Sequence, residues 1–136
     1  MKTIIRFSLP LLTGIAILAS MSFVKSTQAS PWELLGTRKV DFKLDHDEIM
    51  VTRLEGVFTA IQIRVKRSEV NMHKLTIFYG NGQTEDIELR NHFLPGTESR
   101  VIDLLGNKRI IKKVSFWYDT SDLANQKGVV ELWGRR

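Results

Sequence analysis

The chain has 136 residues, no cysteine and a formal net charge of +5, from 20 Lys and Arg against 15 Asp and Glu. The absence of cysteine excludes a disulfide framework and thiol chemistry, so the fold must rest on its apolar core. A chain of this length has room for one ordinary globular domain and none for a second core.

The first segment predicts an export signal. Two basic residues precede an uncharged stretch over residues 7–24, and Thr27-Gln28-Ala29 places small residues where a signal peptidase cleaves. We expect cleavage of residues 1–29, between Ala29 and Ser30, which leaves 107 residues in the periplasm or outside the cell. The competing interpretation is an uncleaved membrane anchor, because the 18 uncharged residues come close to the length that spans a bilayer.

Cleavage changes the charge of the working protein. Three of the 20 basic side chains lie in the first 29 residues, which hold no Asp or Glu, so the mature chain has a net charge of +2. That value predicts no general affinity for nucleic acid. The chain also contains short clusters of basic residues, which are typical of a solvated face; the alternative is a patch that binds an anionic envelope partner. The clusters are Arg64 with Lys66 and Arg67, Lys108 with Arg109, Lys112 with Lys113, and Arg135 with Arg136.

The mature chain reads as a series of strands with almost no helical periodicity. Apolar and polar residues alternate over 57–66, which is the strongest strand prediction. Residues 75–79 and 84–89 form a predicted hairpin around Asn81-Gly82, a pair that favours a tight primed turn. Further strands are predicted at 38–44, 48–53, 100–104, 110–119 and 128–133.

Turn residues separate the predicted strands. Pro95-Gly96 and Gly106-Asn107 are turn signals, whereas residues 91–99 show no clear pattern. About eight short strands over residues 30–136 indicate a single antiparallel β-sandwich domain of jelly-roll or immunoglobulin-like kind. A small barrel is the alternative fold.

Three short motifs span the mature chain. They are W-x-x-L-G-x-R from Trp32, G-x-x-x-R-x-I-D-L-x-G-x-x-R from Gly96, and the closing Leu132-Trp133-Gly134. With this pattern the chain resembles a family of small exported bacterial proteins of unknown function. The resemblance implies a compact, exported, all-β domain and brings no activity with it.

Catalytic motifs are missing from the sequence. There is no Gly-x-Ser-x-Gly element, and the three histidines are not spaced as zinc ligands. We therefore predict a protein that is not an enzyme and has no cofactor or metal. A calcium site at the acidic run 45–48, with Asp41 nearby, is the alternative, since loop carboxylates and carbonyls can bind this ion; a polar turn is the simpler interpretation.

Aromatic and basic residues of the predicted strand 110–119 favour a binding role. Alternation puts Val114, Phe116 and Tyr118 on one face and Lys113, Ser115 and Trp117 on the other. An exposed Trp117 could stack on a sugar ring while Lys113 meets an anionic substituent, unless the indole packs against an adjoining strand. The predicted ligand-binding residues are Trp117, Lys113, Lys112, Arg109 and Arg100.

One charged residue of the predicted strand 100–104 is expected to point inward. Arg100 and Asp103 fall on opposite faces of a regular strand. A charge in a core is costly unless it is paired, so we expect Asp103 to be bonded by Arg109, Arg38 or a loop amide.

Two functions are consistent with these features. The first is an exported, non-catalytic binding domain of the bacterial envelope for an anionic glycan or another envelope polymer. The second is an accessory domain or inhibitor that meets another exported protein through an edge strand or a loop. Salt would weaken the first kind of binding more than the second.

Overall fold

The computed structural model describes residues 30–40, 46–51, 56–120 and 127–136. The predicted export signal lies outside the described residues, and so do Asp41 and Asp45 of the calcium alternative. No helix within these ranges is long and apolar enough to cross a membrane.

The described residues form ten β-strands, which confirms the all-β prediction. Two five-stranded antiparallel sheets result: the first has the order β1-β10-β4-β7 with β8 also on β4, and the second has the order β2-β9-β5-β6 with β3 also on β9. The strands are β1 (Trp32–Val40), β2 (His46–Met50), β3 (Val57–Phe58), β4 (Ala60–Lys66), β5 (Val70–Tyr79), β6 (Thr84–Phe93), β7 (Thr97–Glu98), β8 (Ile102–Asp103), β9 (Arg109–Asp119) and β10 (Gly128–Arg135).

Inward-facing residues of both sheets form one hydrophobic core. On β9 the predicted inner set, Val114, Phe116 and Tyr118, is at most 1% exposed. On β4 the alternate residues Ile61 and Ile63 are fully buried. Burying such a side chain contributes about 1.5–3 kcal/mol, so the period-two pattern of these strands supplies much of the driving force for folding.

The predicted strand 57–66 is divided between the two sheets. Val57 and Phe58 pair with β9 in the second sheet, whereas Ala60–Lys66 pair with β10 in the first. The change occurs at Thr59, whose backbone N–H and hydroxyl both donate to the carbonyl oxygen of Arg135. Strands turn the corners of packed sheets in this way, and alternation along the sequence does not reveal it.

The hairpin between β5 and β6 is confirmed, but its turn is not a primed one. The N–H of Gly82 donates to the carbonyl of Tyr79 at 3.1 Å, and within the connection only Gly82 has a positive φ, of 89°. This is a type I turn followed by a left-handed glycine. Asn81 keeps a negative φ, and its side-chain oxygen accepts the N–H of Gln83 at 3.0 Å.

The segment without a clear pattern, residues 91–99, contains the end of β6 and all of β7. Between them the predicted turn at Pro95-Gly96 is confirmed: the N–H of Thr97 donates to the carbonyl of Leu94 at 3.1 Å, and Gly96 has φ of 83°. Proline followed by a positive-φ glycine is the signature of a type II turn.

The expectation of an inward-pointing Asp103 is wrong. Its side chain is 85% exposed and lies 3.7 Å from Arg135, while its neighbours Ile102 and Leu104 are buried. The strand β8 covers only Ile102–Asp103, so alternation does not extend back to Arg100. Two other carboxylates are buried among the described residues: Asp47 is 7% exposed and pairs with Arg38, and Glu131 is 6% exposed and lies 3.4 Å from Lys66.

Candidate functional site

Trp117 lies on the outer face of the second sheet, as predicted for the strand, and is half-buried. Its ring centroid is 4.6 Å from that of His46 on β2, and Lys74 Nζ on β5 lies 4.4 Å from the indole centroid. The register places these residues opposite Trp117 on the two adjoining strands. A sugar that stacked on this indole would have to displace one of them.

Lys113 lies on the same outer face but has partners of its own. Its Nζ is 3.2 Å from Glu48 Oε2 and 4.7 Å from the ring centroid of Phe78. The carboxylate neutralises part of the charge that a ligand would meet. Trp117 and Lys113 therefore share a face, as the sequence predicts, and both are engaged by cross-strand neighbours.

A cleft of about 780 Å³ lies beside the end of the β5–β6 hairpin. Its lining includes three basic side chains, those of Lys108, Arg109 and Lys112, and no carboxylate among the described residues. Ile110 and Val57, which are 55% and 38% exposed, supply apolar surface to the same cleft. Its volume falls within the usual range for small-molecule sites.

A β-bulge in β9 turns Lys112 outward. Phe78 of β5 pairs with Lys113 and Tyr79 pairs with Ile111, which leaves Lys112 as the extra residue between them. Bulges re-aim side chains in this way. Lys112 is accordingly exposed, whereas Ile111 is buried.

Arg109 is held in place by neutral groups. Its Nη1 donates to the carbonyl of Leu105 at 2.7 Å, and its Nη2 donates to Gln83 Oε1 at 2.7 Å and to Asn81 Oδ1 at 3.3 Å. The guanidinium carbon lies 3.7 Å from the ring centroid of Tyr79. The side chain is fixed without its charge being neutralised by these contacts.

Some basic side chains outside the cleft are ion-paired, whereas Lys39, Arg67, Lys74 and Arg100 have no carboxylate within salt-bridge distance among the described residues. Five arginines of the described residues are within salt-bridge distance of a carboxylate: Arg38, Arg64, Arg90, Arg135 and Arg136. Within the described ranges, Lys108, Arg109 and Lys112 form no such pair. Among the described residues, the cleft therefore combines exposed apolar side chains with three cations that have no carboxylate partner.

Tyr79 and Arg109 also border a second cavity, of about 580 Å³. Here the Tyr79 hydroxyl donates to Glu85 Oε1 at 2.5 Å, and the N–H of Leu105 donates to the same oxygen at 3.2 Å. Burial and the hydrogen bond to Glu85 raise the pKa of the Tyr79 phenol well above its usual range. Tyr79 is thus a neutral hydrogen-bond donor at physiological pH.

Arg100, the fifth predicted ligand-binding residue, lines neither cavity. Its Nη2 donates to the backbone carbonyl of Glu88 at 3.1 Å. Since Glu88 lies in the edge strand β6, this bond links the segment before β8 to the edge of the other sheet.

The carboxylates in the described part of the acidic run, residues 46–48, form ion pairs with basic side chains. Asp47 pairs with Arg38, and Glu48 with Lys113. No group of three His, Cys, Asp or Glu suited to a metal ion occurs among the residues that the structure describes.

Sequence reasoning did not identify Tyr79 or Glu85 as parts of a site, and it named Lys108 only as a member of a basic cluster. One signal was present: the two-residue basic clusters at Lys108 and Lys112 flank the apolar pair Ile110-Ile111. That pattern does not show which hairpin faces it, because the β5–β6 hairpin lies about 25 to 30 residues earlier in the chain.

The fold and its cleft define an all-β domain of two antiparallel sheets with a basic, partly apolar surface site. The chain belongs to a family described as "Domain of unknown function (DUF2541)", whose model matches residues 12–134, which confirms the resemblance inferred from the motifs. No curated protein matches the sequence. Among solved structures, AlgX of Pseudomonas aeruginosa is similar with a TM-score of 0.49 and 15% identity. The similarity covers 76% of this chain and 27% of AlgX.

Proposed function

We propose that this protein is an exported, non-catalytic binding domain of the bacterial envelope that takes an anionic polymer, such as a glycan. The observation that carries the proposal is the cleft with Lys108, Arg109 and Lys112, none of which is paired with a carboxylate among the described residues. Cations that lack an internal counterion attract an external one, and an arginine forms strong charge-assisted bonds with a carboxylate or sulfate.

Preorganisation supports the same role. Three hydrogen bonds and a stacked tyrosine already hold the guanidinium of Arg109, so little side-chain entropy is lost when a ligand binds. These bonds use three of its five N–H groups, and the others can serve an anion. Ile110 and Val57 can meet the apolar face of a sugar ring beside the charge.

The non-catalytic part of the proposal rests on chemistry at the same cleft. Tyr79 borders the cleft, but its raised pKa makes it a hydrogen-bond donor rather than a nucleophile or base at neutral pH.

The proposed location, in the periplasm or outside the cell, rests on the predicted export signal. We also propose that the two antiparallel sheets form a β-sandwich of jelly-roll or immunoglobulin-like kind.

Binding to polygalacturonate, compared with neutral dextran, tests this function. The protein is purified from cells that express the full chain, and mass spectrometry of the purified protein establishes whether cleavage leaves Ser30 at its N-terminus. We expect affinity for polygalacturonate alone, weakening strongly between about 20 and 150 mM salt. Arg109→Met or Lys112→Ala should reduce the affinity by about tenfold, as the loss of a charge-assisted bond predicts.

Lys39→Ala is the matched control, because Lys39 is an exposed lysine of β1 that lies outside both cavities. An equal loss from Lys39→Ala, or equal binding to dextran, contradicts a specific anion site.

Exposed apolar side chains support the second candidate, an accessory domain or inhibitor of another exported protein. Val57 and Ile110 in the cleft are joined by Leu105, which borders the second cavity and is 64% exposed. A partner held by these residues should stay bound as salt rises, and Ile110→Asp should release it. Capture from envelope extract at high salt, followed by mass spectrometry, identifies such a partner.

A further inference from the structure

The two cavities adjoin along a shared wall made by Tyr79 and Arg109. Arg109 contacts groups from both linings. Asn81 lines the cleft that contains Lys108, Arg109 and Lys112, called here the cationic cleft, while Gln83 and Leu105 line the second cavity. A group bound at this guanidinium is therefore next to both spaces.

The second cavity differs in chemistry from the cationic cleft. Apart from Arg109, its polar side chains are the Gln83 amide, the Thr84 hydroxyl, the Glu85 carboxylate and the Tyr79 hydroxyl, which is already bonded to Glu85. Neutral amides and hydroxyls both donate and accept hydrogen bonds, and a carboxylate accepts them. Such a set suits the hydroxyl groups of an uncharged sugar.

Glu85 also excludes a class of occupant. One of its oxygens is used by Tyr79 and Leu105, but its negative charge stays in the cavity. Arg109 is the one cation of this lining among the described residues, and the first anionic group already engages it, so a second anionic group placed there would meet the like charge of Glu85. A ligand whose charged unit occupies the cleft should thus place a neutral unit in the second cavity.

We propose that the two cavities are neighbouring subsites for consecutive sugars of one acidic glycan in which charged and neutral units alternate. The carboxylate of one unit meets Arg109 and Lys112, and the hydroxyls of the next meet Gln83, Thr84 and Glu85. This inference rests on the proposed anion-binding function and specifies the ligand class of the same site.

Three soluble probes test it by calorimetry: glucuronate, a hyaluronan tetrasaccharide in which glucuronate and a neutral sugar alternate, and tetragalacturonate, in which every unit is charged. We expect the hyaluronan tetrasaccharide to bind about tenfold tighter than glucuronate, as two or three added hydrogen bonds predict. Tetragalacturonate should bind more weakly than the hyaluronan tetrasaccharide.

Two variants locate the second subsite. Thr84→Val should reduce the affinity for the hyaluronan tetrasaccharide about threefold and leave the affinity for glucuronate unchanged. Thr37→Val, at an exposed threonine of β1, is the matched control and should change neither. Glu85→Gln retains an acceptor for Tyr79 and Leu105 and removes the charge, so it should strengthen tetragalacturonate binding.

The outcomes separate this inference from the function on which it rests. If none of the acidic probes binds, the proposed function itself is wrong. If glucuronate binds as tightly as the hyaluronan tetrasaccharide, the single anion site stands and the two-subsite inference is overturned. Tighter binding of tetragalacturonate than of hyaluronan, or no response to Glu85→Gln, overturns the alternation of charged and neutral units.

Discussion

Arg38 Nε lies 2.8 Å from Asp47 Oδ1, and this ion pair joins the edge strand β1 of the first sheet to the edge strand β2 of the second. In the strand register, Arg38 is opposite Val130 and Asp47 is opposite Phe116, both of which are core residues. The pair therefore spans one open side of the core, where neither sheet has another strand among the described residues.

The Arg38–Asp47 pair should contribute measurably to stability. Arg38→Met leaves the 7% exposed Asp47 carboxylate without this partner, and we expect a loss of about 1–2 kcal/mol in the free energy of unfolding. The expected loss of stability is modest because Arg38 is half-exposed and solvent screens its charge. Urea denaturation at neutral pH measures the change.

Arg90→Met is the control for that experiment. Arg90 pairs with Glu88, but both side chains are more than three-quarters exposed, so its loss should change stability by less than about 0.5 kcal/mol. Equal effects of the two substitutions would mean that the bridge between the sheets has no special role.

Gly134→Ala should destabilise the core by about 1–3 kcal/mol. A Cβ at this position would lie 2.7 Å from Phe58 Cδ1 and 2.8 Å from Leu35 Cδ1, both of which are packed side chains. In a double-mutant cycle, Phe58→Leu should relieve part of the clash, so the double variant should be more stable than the sum of the two single losses predicts. Additive losses would show that space at Phe58 is not the cause.

Alkaline pH should destabilise the protein partly through Tyr79. The pKa of its phenol is raised by burial and by the hydrogen bond to Glu85, so the folded state keeps a proton that the unfolded state loses near pH 10. The contribution of the neutral Tyr79 phenol to the free energy of unfolding is fully present below pH 10. It decreases above pH 10, by up to about 1.4 kcal/mol per pH unit. Urea unfolding between pH 8 and 11 should show a steeper decline in the wild type than in Tyr79→Phe; parallel curves would contradict this.

Trp117→Ala should affect anionic-polymer binding less than Arg109→Met does. His46 and Lys74 adjoin the indole, and Trp117 lines neither cavity. We expect a loss of affinity under about threefold for Trp117→Ala, against about tenfold for Arg109→Met. A tenfold loss of affinity from Trp117→Ala would indicate that the ligand binds on the outer face of the second sheet and not in the cleft.

Local pattern was enough to predict much of the fold. Period-two alternation identified the buried face of β9, and turn residues located the hairpin and the turn at Pro95-Gly96, because these features depend on neighbours in the chain. Alternation predicted one strand over 57–66 and did not show that Thr59 divides it between two sheets, where the buried position shifts from Phe58 before Thr59 to Ile61 and Ile63 after it. Asp103 was misassigned for a related reason: regular alternation was extended beyond a two-residue strand.

The sequence by itself determined the all-β class, most of the strand-forming segments and the family to which the chain belongs. It also singled out Arg109 and Lys112 as candidates through their basic clusters. Only the tertiary structure decided that Arg109 is held by Gln83 and Asn81, which lie 26 and 28 residues away, and that Trp117 has neighbours on both adjoining strands. Contacts of this kind depend on how strands pair and pack across sheets, and the order of residues along one strand does not specify them.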